Sequence, residues 1–170
     1  GLARFDGKQF VTFDPANTPA LAHPRVRQLA VDERGTLWIN TLDGSMTSLR
    51  QGAFAREWTG AEGPDPDVTL LASITNQVAF LLHRGNIRLK AATAPAGVGW
   101  TDLNPPQRSV GGLCVADGAG TIWYRTADKK LVRWRGKEFE PLPVAAGLDE
   151  QLVESMTTDP AGRLWVGTER

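Results

Sequence analysis

Eight polar or charged residues have the chemistry needed to hold a small ligand. They combine imidazole, guanidinium and carboxylate groups, which can donate and accept hydrogen bonds with a sugar or a peptide. They are His23, Arg25, Asp43, His83, Arg84, Arg108, Asp128 and Glu150. Mixed charges also serve solubility alone. We therefore expect a binding role only if the fold brings these residues to one face.

Residues with the spacing of a catalytic or metal site are scarce. The two histidines, His23 and His83, stand 60 positions apart without a Cys or acidic partner at ligand spacing, so we predict no metal site. The single tyrosine, Tyr124, is the nucleophile that a sialidase-type glycosidase would need, but it lies in an apolar segment beside Trp123. No phosphate-binding or nucleophile-elbow motif is present. We predict no cofactor and no enzyme activity, and keep a glycosidase as the weakest alternative.

A repeat of about 42 residues supplies the elements that must position these side chains. Two marker columns keep this period, the first with spacings of 42, 42 and 43. The first column consists of Val26, Val68, Val110 and Val153. The second column consists of Trp38, Phe80, Trp123 and Trp165. Such periods are typical of circular or stacked folds, in which each unit buries its faces against its neighbours, so we expect these aromatic residues to pack between units.

Each repeat has the pattern of four short strands. In Val26–Thr41, Val110–Thr126 and Val153–Thr168, an apolar run meets Asp and Gly and resumes through Trp to Thr, which predicts an antiparallel hairpin. Val68–His83 is a drifted copy of the same length. Two more strand-like segments follow the first three hairpins. They are Ser45–Arg50 and Phe54–Trp58, then Asn86–Lys90 and a segment ending at Trp100, then Lys130–Arg135 and Glu138–Leu142. Four antiparallel strands at this period predict one propeller blade.

The fourth repeat is divided between the two chain ends. Its outer strands are absent after Thr168, but Leu2–Phe5 and Gln9–Phe13 match Leu131–Trp134 and Glu138–Leu142. We therefore predict an all-β propeller domain, or propeller fragment, over residues 1–170. Its blades would be 14–58, 59–100, 101–142, and 143–170 together with 1–13. A closed four-bladed ring, half of an eight-bladed ring formed by two chains that exchange ends, and part of a longer propeller all agree with this pattern.

The composition limits the partners. With 19 basic and 19 acidic residues, the chain has no net charge to attract nucleic acid, so we expect no nucleic-acid partner. No apolar run is long enough to span a membrane and no leader sequence is present, so we expect neither a membrane span nor a signal peptide in this segment. The lone Cys114 lies in an apolar strand, where we expect it to be a core residue.

The wording of the repeat is more specific than its period. The phrases LAVDERGTLWINT, MTTDPAGRLWVGT and GLARFDGKQFVTF resemble the two-component regulator propeller repeat. Asn40 and Arg125 depart from the pattern, which favours Gly there. The resemblance implies a non-catalytic, extracytoplasmic or periplasmic sensor module placed ahead of a membrane segment and a signalling output. Known members sense polysaccharide breakdown products, so an oligosaccharide is the implied ligand.

The propeller interpretation gives the eight polar residues a common place. Links from an outer strand to the next inner strand, and from second to third strands, lie on one face of a propeller, and loops on a rigid scaffold commonly carry recognition. We therefore predict a ligand site on this loop face. The main alternative is a structural or protein-interaction propeller that forms a homodimer by strand exchange. The Asp-x-x-Gly pattern also resembles the Asp-box of sialidases, with one extra residue between Asp and Gly.

Overall fold

All regular structure in the described part of the chain is β-strand. The computed structural model describes residues 1–32, 34–59, 68–74, 77–82, 86–107, 109–117, 119–142 and 153–169. Sixteen strands form within these ranges. In chain order they are β1 (Leu2–Phe5), β2 (Phe10–Phe13), β3 (Val26–Val31), β4 (Leu37–Thr41), β5 (Met46–Arg50), β6 (Ala53–Trp58), β7 (Val68–Ile74), β8 (Gln77–Leu82), β9 (Ile87–Ala91), β10 (Trp100–Leu103), β11 (Ser109–Ala116), β12 (Thr121–Thr126), β13 (Leu131–Arg135), β14 (Glu138–Pro141), β15 (Val153–Thr158) and β16 (Leu164–Thr168). The prediction of an all-β chain is confirmed.

The strands form three complete and two half-sized sheets. Strands β3–β6, β7–β10 and β11–β14 each make a four-stranded sheet in which consecutive strands are neighbours, whereas β1–β2 and β15–β16 are two-stranded. Every strand pairing whose register lies within the described residues is antiparallel. The predicted four-stranded antiparallel sheet is therefore the unit that this repeat builds.

The Asp-x-x-Gly pattern makes the same turn in three hairpins. The amide of Gly35 donates to the carbonyl of Asp32 at 2.9 Å, and Gly162 donates to Asp159 at 2.8 Å. Both glycines have positive φ, 74° and 76°, which a residue with a Cβ adopts only at a cost. Gly120 and Asp117 repeat the arrangement at 3.2 Å. The sequence pattern thus fixes each hairpin locally.

Strand β10 lies later in the chain than predicted. The sequence predicts a strand that ends at Trp100, but the strand begins there and continues to Leu103, past the predicted blade boundary at residue 100. Gly97 and Gly99 both have positive φ, so the chain turns through this segment and cannot continue the preceding extended run.

The two halves of the predicted fourth blade each form a hairpin of their own. Strands β1 and β16 belong to separate two-stranded sheets. Each hairpin is closed by its own aspartate: Asp6 accepts from the amides of Lys8 and Gln9, and Asp159 accepts from those of Ala161 and Arg163. Since these bonds are local, neither hairpin needs the other end in order to form. Completion of the fourth blade, within one chain or by a second chain, therefore stays a prediction.

Two compact units divide the contacts, each with its own core. One consists of Gly1–Thr69 with Ala94–Gly99, and the other of Leu70–Thr93 with Trp100–Arg170. Leu2, Leu21 and Ile39 form the buried centre of the first unit. Residues of β9 and β11–β13, among them Ile87 and Tyr124, form that of the second, where Cys114 is buried as expected. None of the described segments is an apolar helix of membrane-spanning length.

Candidate functional site

Three of the predicted ligand-binding residues meet at one end of the sheet β3–β6. The amide of Leu42, in the β4–β5 turn, donates to the carbonyl of Arg25 at 2.9 Å, which ties this turn to the segment that enters β3. The amide of Arg25 in turn donates to Nδ1 of His23 at 3.0 Å. Asp43 follows Leu42 in the same turn and lies close enough for the charge of His23 to act on its carboxylate. An imidazole, a guanidinium and a carboxylate therefore share one surface.

The segment that carries His23 and Arg25 is held firmly against the sheet. Leu21 is buried in the core of the first unit. The carbonyl of Ala20 accepts hydrogen bonds from the Thr47 hydroxyl at 2.9 Å and from Nε of Arg56 at 3.2 Å. The opposing turn is held as well, because the Trp58 indole donates to the carbonyl of Gly44 at 2.8 Å. The polar groups are thus presented from ordered backbone, which lowers the entropic cost of binding.

Asp43 stabilises the β4–β5 turn and also lies on the surface that it shares with His23 and Arg25. Desolvation would raise the pKa of its carboxyl group, but hydrogen bonds from the Thr41 hydroxyl and from the amide and hydroxyl of Ser45, with the charge of His23, outweigh it and lower the pKa. The Thr41 and Ser45 hydroxyls lie 2.7 Å and 2.9 Å from the carboxylate oxygens. The group is therefore a fixed negative charge, held in place by the backbone that it stabilises.

Asp128 repeats this turn in the second unit. The Thr126 hydroxyl donates to its carboxylate at 2.5 Å, and Nζ of Lys130 lies 2.9 Å away. The hydrogen bond from Thr126, followed by that from Lys130, lowers the pKa of Asp128. Its role as a ligand-binding residue stays a prediction. The other four predicted site residues lie outside the described residues, and their placement stays a prediction too; they are His83, Arg84, Arg108 and Glu150.

The aspartates of the Asp-x-x-Gly turns have a structural function that the sequence predicted only in part. The Asp32 carboxylate accepts hydrogen bonds from the Arg34 and Thr36 amides at 2.9 Å, and from the Trp38 indole at 3.0 Å. Asp159 holds the Trp165 indole at 2.9 Å in the same way. The Asp and Gly indicated a turn, but the bond to an aromatic residue six positions later needed the hairpin register. The carboxylates of Asp32 and Asp159 therefore accept hydrogen bonds from groups within their own hairpins.

Sequence reasoning missed one buried carboxylate, Glu57. Its Oε1 accepts a hydrogen bond from the Ser48 hydroxyl at 2.7 Å, and Arg50 lies 3.6 Å from the same oxygen. Oε2 accepts from the amide of Gly97 at 3.2 Å, which attaches the 94–99 segment to the sheet β3–β6. Glu57 lies at a bulge, where the register of β5 and β6 shifts between Met46 and Thr47, and nothing in the sequence identified its partners.

Tyr124, the candidate nucleophile of a glycosidase, is a core residue. Its side chain is fully buried and stacks edge-on against Phe139, with ring centroids 5.9 Å apart. Burial, with a smaller effect of Cys114, raises the pKa of its hydroxyl to about 12. A nucleophile must reach its substrate as the anion or with a base beside it. Tyr124 has neither access to solvent nor a favourable pKa, which argues against this role.

One family and several solved structures resemble the chain. Residues 147–170 match the family model described as "Two component regulator propeller", which confirms the resemblance found in the sequence. No curated protein sequence matches the chain significantly.

The solved structures share the fold. The extracellular domain of BT3049 from B. thetaiotaomicron, named as a hybrid two component system, is 17% identical, with a TM-score of 0.60 over 96% of this chain and 23% of that one. The extracellular domain of BT4673 from the same organism, named as a one component system, is 18% identical, with a TM-score of 0.56 over 87% of this chain and 22% of that one. YCF48, solved with a D1 peptide, is 17% identical, with a TM-score of 0.66 over 96% of this chain and 53% of that one. At these identities the likeness establishes the β-propeller fold. The chain spans about a fifth to a half of the length of these structures.

Proposed function

We propose that this chain, which carries the two-component regulator propeller repeat, is a non-catalytic ligand-sensing module of a two-component type signalling protein. The match of residues 147–170 to that family carries the proposal. The repeat is a sequence signature as well as a fold, so it points to a class of proteins more narrowly than sheet geometry does. The extracellular domains of BT3049 and BT4673 share the fold and support an extracytoplasmic, periplasmic location.

The ligand that we propose is a small polar molecule such as an oligosaccharide, bound at the end of the sheet β3–β6. His23, Arg25 and Asp43 supply donors and an acceptor, and a sugar presents hydroxyl groups that need both. Since Nδ1 of His23 accepts a backbone hydrogen bond, its neutral ring carries the proton on Nε2, which can donate to a ligand. Binding loops held by a rigid sheet fit a sensor better than an enzyme of the glycosidase type, given the burial of Tyr124.

Titration calorimetry with a panel of neutral and acidic oligosaccharides tests this proposal. We expect at least one member to bind, and Arg25→Ala to weaken its binding about tenfold through the loss of one charge-assisted contact. Arg34→Ala is the matched control, because it removes the same charge from the β3–β4 turn at the opposite end of the sheet. Absence of binding across the panel, or equal weakening by both variants, would contradict the proposal.

A further inference from the structure

The segment 23–25 forms a turn in which a side chain accepts a hydrogen bond from the amide two residues later. Nδ1 of His23 accepts from the amide of Arg25 at 3.0 Å. Pro24 lies between them, and a proline disfavours a helical conformation of the residue before it, which limits the positions that the His23 ring can take. The His23 side chain is thus part of the hydrogen bonding that shapes the backbone here.

Two aspartates make the same kind of turn, and each is also followed by a proline. Oδ1 of Asp14 accepts from the amide of Ala16 at 2.8 Å, and Oδ1 of Asp159 accepts from the amide of Ala161 at 3.0 Å. In both aspartate and histidine the accepting atom is attached to Cγ, so Nδ1 of His23 takes the place of a carboxylate oxygen. The chain therefore uses an imidazole at a turn that it elsewhere builds with a carboxylate.

An imidazole differs from a carboxylate in what happens to it near neutral pH. A neutral imidazole has one nitrogen that accepts a hydrogen bond, whereas an imidazolium carries a proton on both nitrogens and accepts none. A protonated His23 therefore cannot accept from the Arg25 amide, because two N–H groups would point at each other. A carboxylate is ionised throughout this pH range and keeps its acceptors. Of the residues that the structure describes, His23 is the one histidine.

The opposing turn offers the protonated ring a different partner. Asp43, between β4 and β5, lies close enough to interact electrostatically with His23, and the hydroxyls of its own turn hold its carboxylate in place. The neighbouring cations lie elsewhere. Arg25 belongs to the segment of His23 itself, and Arg56 of β6 donates to two carbonyls earlier in that segment. A protonated His23 is therefore drawn from the Arg25 amide towards Asp43.

We propose that protonation of His23 opens this turn and thereby regulates the ligand site that His23, Arg25 and Asp43 form. In the neutral state Arg25 is held twice, because its amide donates to His23 and its carbonyl accepts from the amide of Leu42. In the protonated state the ring donates to the Asp43 carboxylate, so Arg25 keeps the bond to Leu42 and loses the other. The regulatory role rests on the ligand site proposed above, whereas the opening of the turn depends on these hydrogen bonds alone.

The neutral state is the one that binds an uncharged sugar. In this state Arg25 is already ordered, Nε2 of His23 is free to donate, and the Asp43 carboxylate can accept from a sugar hydroxyl. Protonation releases Arg25 and pairs His23 with Asp43, so the ligand loses a donor and an acceptor at once. Binding of an uncharged sugar should therefore weaken as the pH falls through the range in which an imidazole becomes protonated.

Nuclear magnetic resonance of the isotope-labelled chain between about pH 5 and about pH 8 tests the opening of the turn. The scalar coupling across the hydrogen bond, between the Arg25 amide nitrogen and Nδ1 of His23, should be present at the upper pH and disappear as the ring is protonated. The Ala16 amide, bonded to Asp14 in the same kind of turn, is the matched control and should not shift over this range. Absence of the coupling at the upper pH, or its persistence with a protonated ring, would overturn the proposal.

The variant His23→Asn separates the turn from its titration, because the Asn Oδ1 accepts the same amide and carries no titrating group. Calorimetry with the uncharged members of the oligosaccharide panel should show about fivefold weaker binding to the unaltered chain at about pH 5.5 than at about pH 8. The variant lacks the ring donor and should bind more weakly at both pH values, without this further loss. Equal pH dependence of the two chains would overturn the regulatory role. Failure of every sugar to bind would overturn the proposed ligand and its regulation together, while the Arg25 coupling still decides whether the turn opens.

Discussion

At the scale of residues, Asp32 and Asp159 each stabilise the turn of a hairpin and anchor an aromatic side chain. Asp32 and Asp159 make the same set of hydrogen bonds to two amides and an indole. The sequence predicted the turn because Asp and Gly have intrinsic turn chemistry. It could not predict the indole bond, because that bond depends on the register that brings Trp38 back to Asp32.

We predict that Asp32→Ala lowers the free energy of unfolding by about 2 to 3 kcal/mol, because the buried Trp38 indole and the Thr36 amide lose their acceptor. Urea denaturation at low protein concentration measures this loss. Asp159→Ala removes the same bonds beside the exposed Trp165 and should cost much less. Equal losses in the two variants would contradict the role of burial.

The candidate ligand site was only partly predictable at this scale. His23, Arg25 and Asp43 were found because polar residues in links between strands gather at one end of an antiparallel sheet. The amide of Leu42 donates to the carbonyl of Arg25, and the amide of Arg25 donates to Nδ1 of His23. Residue types alone reveal neither these backbone hydrogen bonds nor the tautomer of the His23 ring. Glu57 was missed because a single acidic residue in a strand carries no signal of its partners.

At the scale of elements, the strands were predictable where local chemistry determines them. Val26–Thr41 and Val153–Thr168 fold as the predicted hairpins, because the Asp-x-x-Gly turn fixes their register. The segment before Trp100 has no such turn. Gly97 and Gly99 have positive φ there, so β10 begins at Trp100 instead of ending at it. Prediction thus failed where glycine conformation, and not hydrophobic alternation, sets the boundary.

Glu57 gives a prediction about how this irregular segment is held. Glu57→Ala should lower the free energy of unfolding by about 3 kcal/mol, because the Ser48 hydroxyl, Arg50 and the Gly97 amide lose a buried acceptor. Hydrogen exchange at Gly97 should also accelerate. Glu140→Ala is the control, since Glu140 pairs with Arg133 on an exposed strand and should change stability little. An unchanged exchange rate at Gly97 would show that the bond from Glu57 does not hold the segment.

At the scale of the whole molecule, the repeat predicted the architecture but not the partner of its divided copy. A repeat states which strands complete a sheet, because equivalent positions need equivalent neighbours. It does not state which chain supplies them, because the residues of β1 and β16 are the same whether they meet within one copy or between two.

Backbone hydrogen exchange tests the central claim most directly, that this repeat builds four-stranded antiparallel sheets. We predict that β4 and β12, each the second strand of a complete sheet, exchange slowly, because each has a ladder partner on both sides. Strands β6 and β14, each at the edge of such a sheet, should exchange faster. Equal exchange in the inner and the edge strands, or rapid exchange in β4 and β12, would contradict the account.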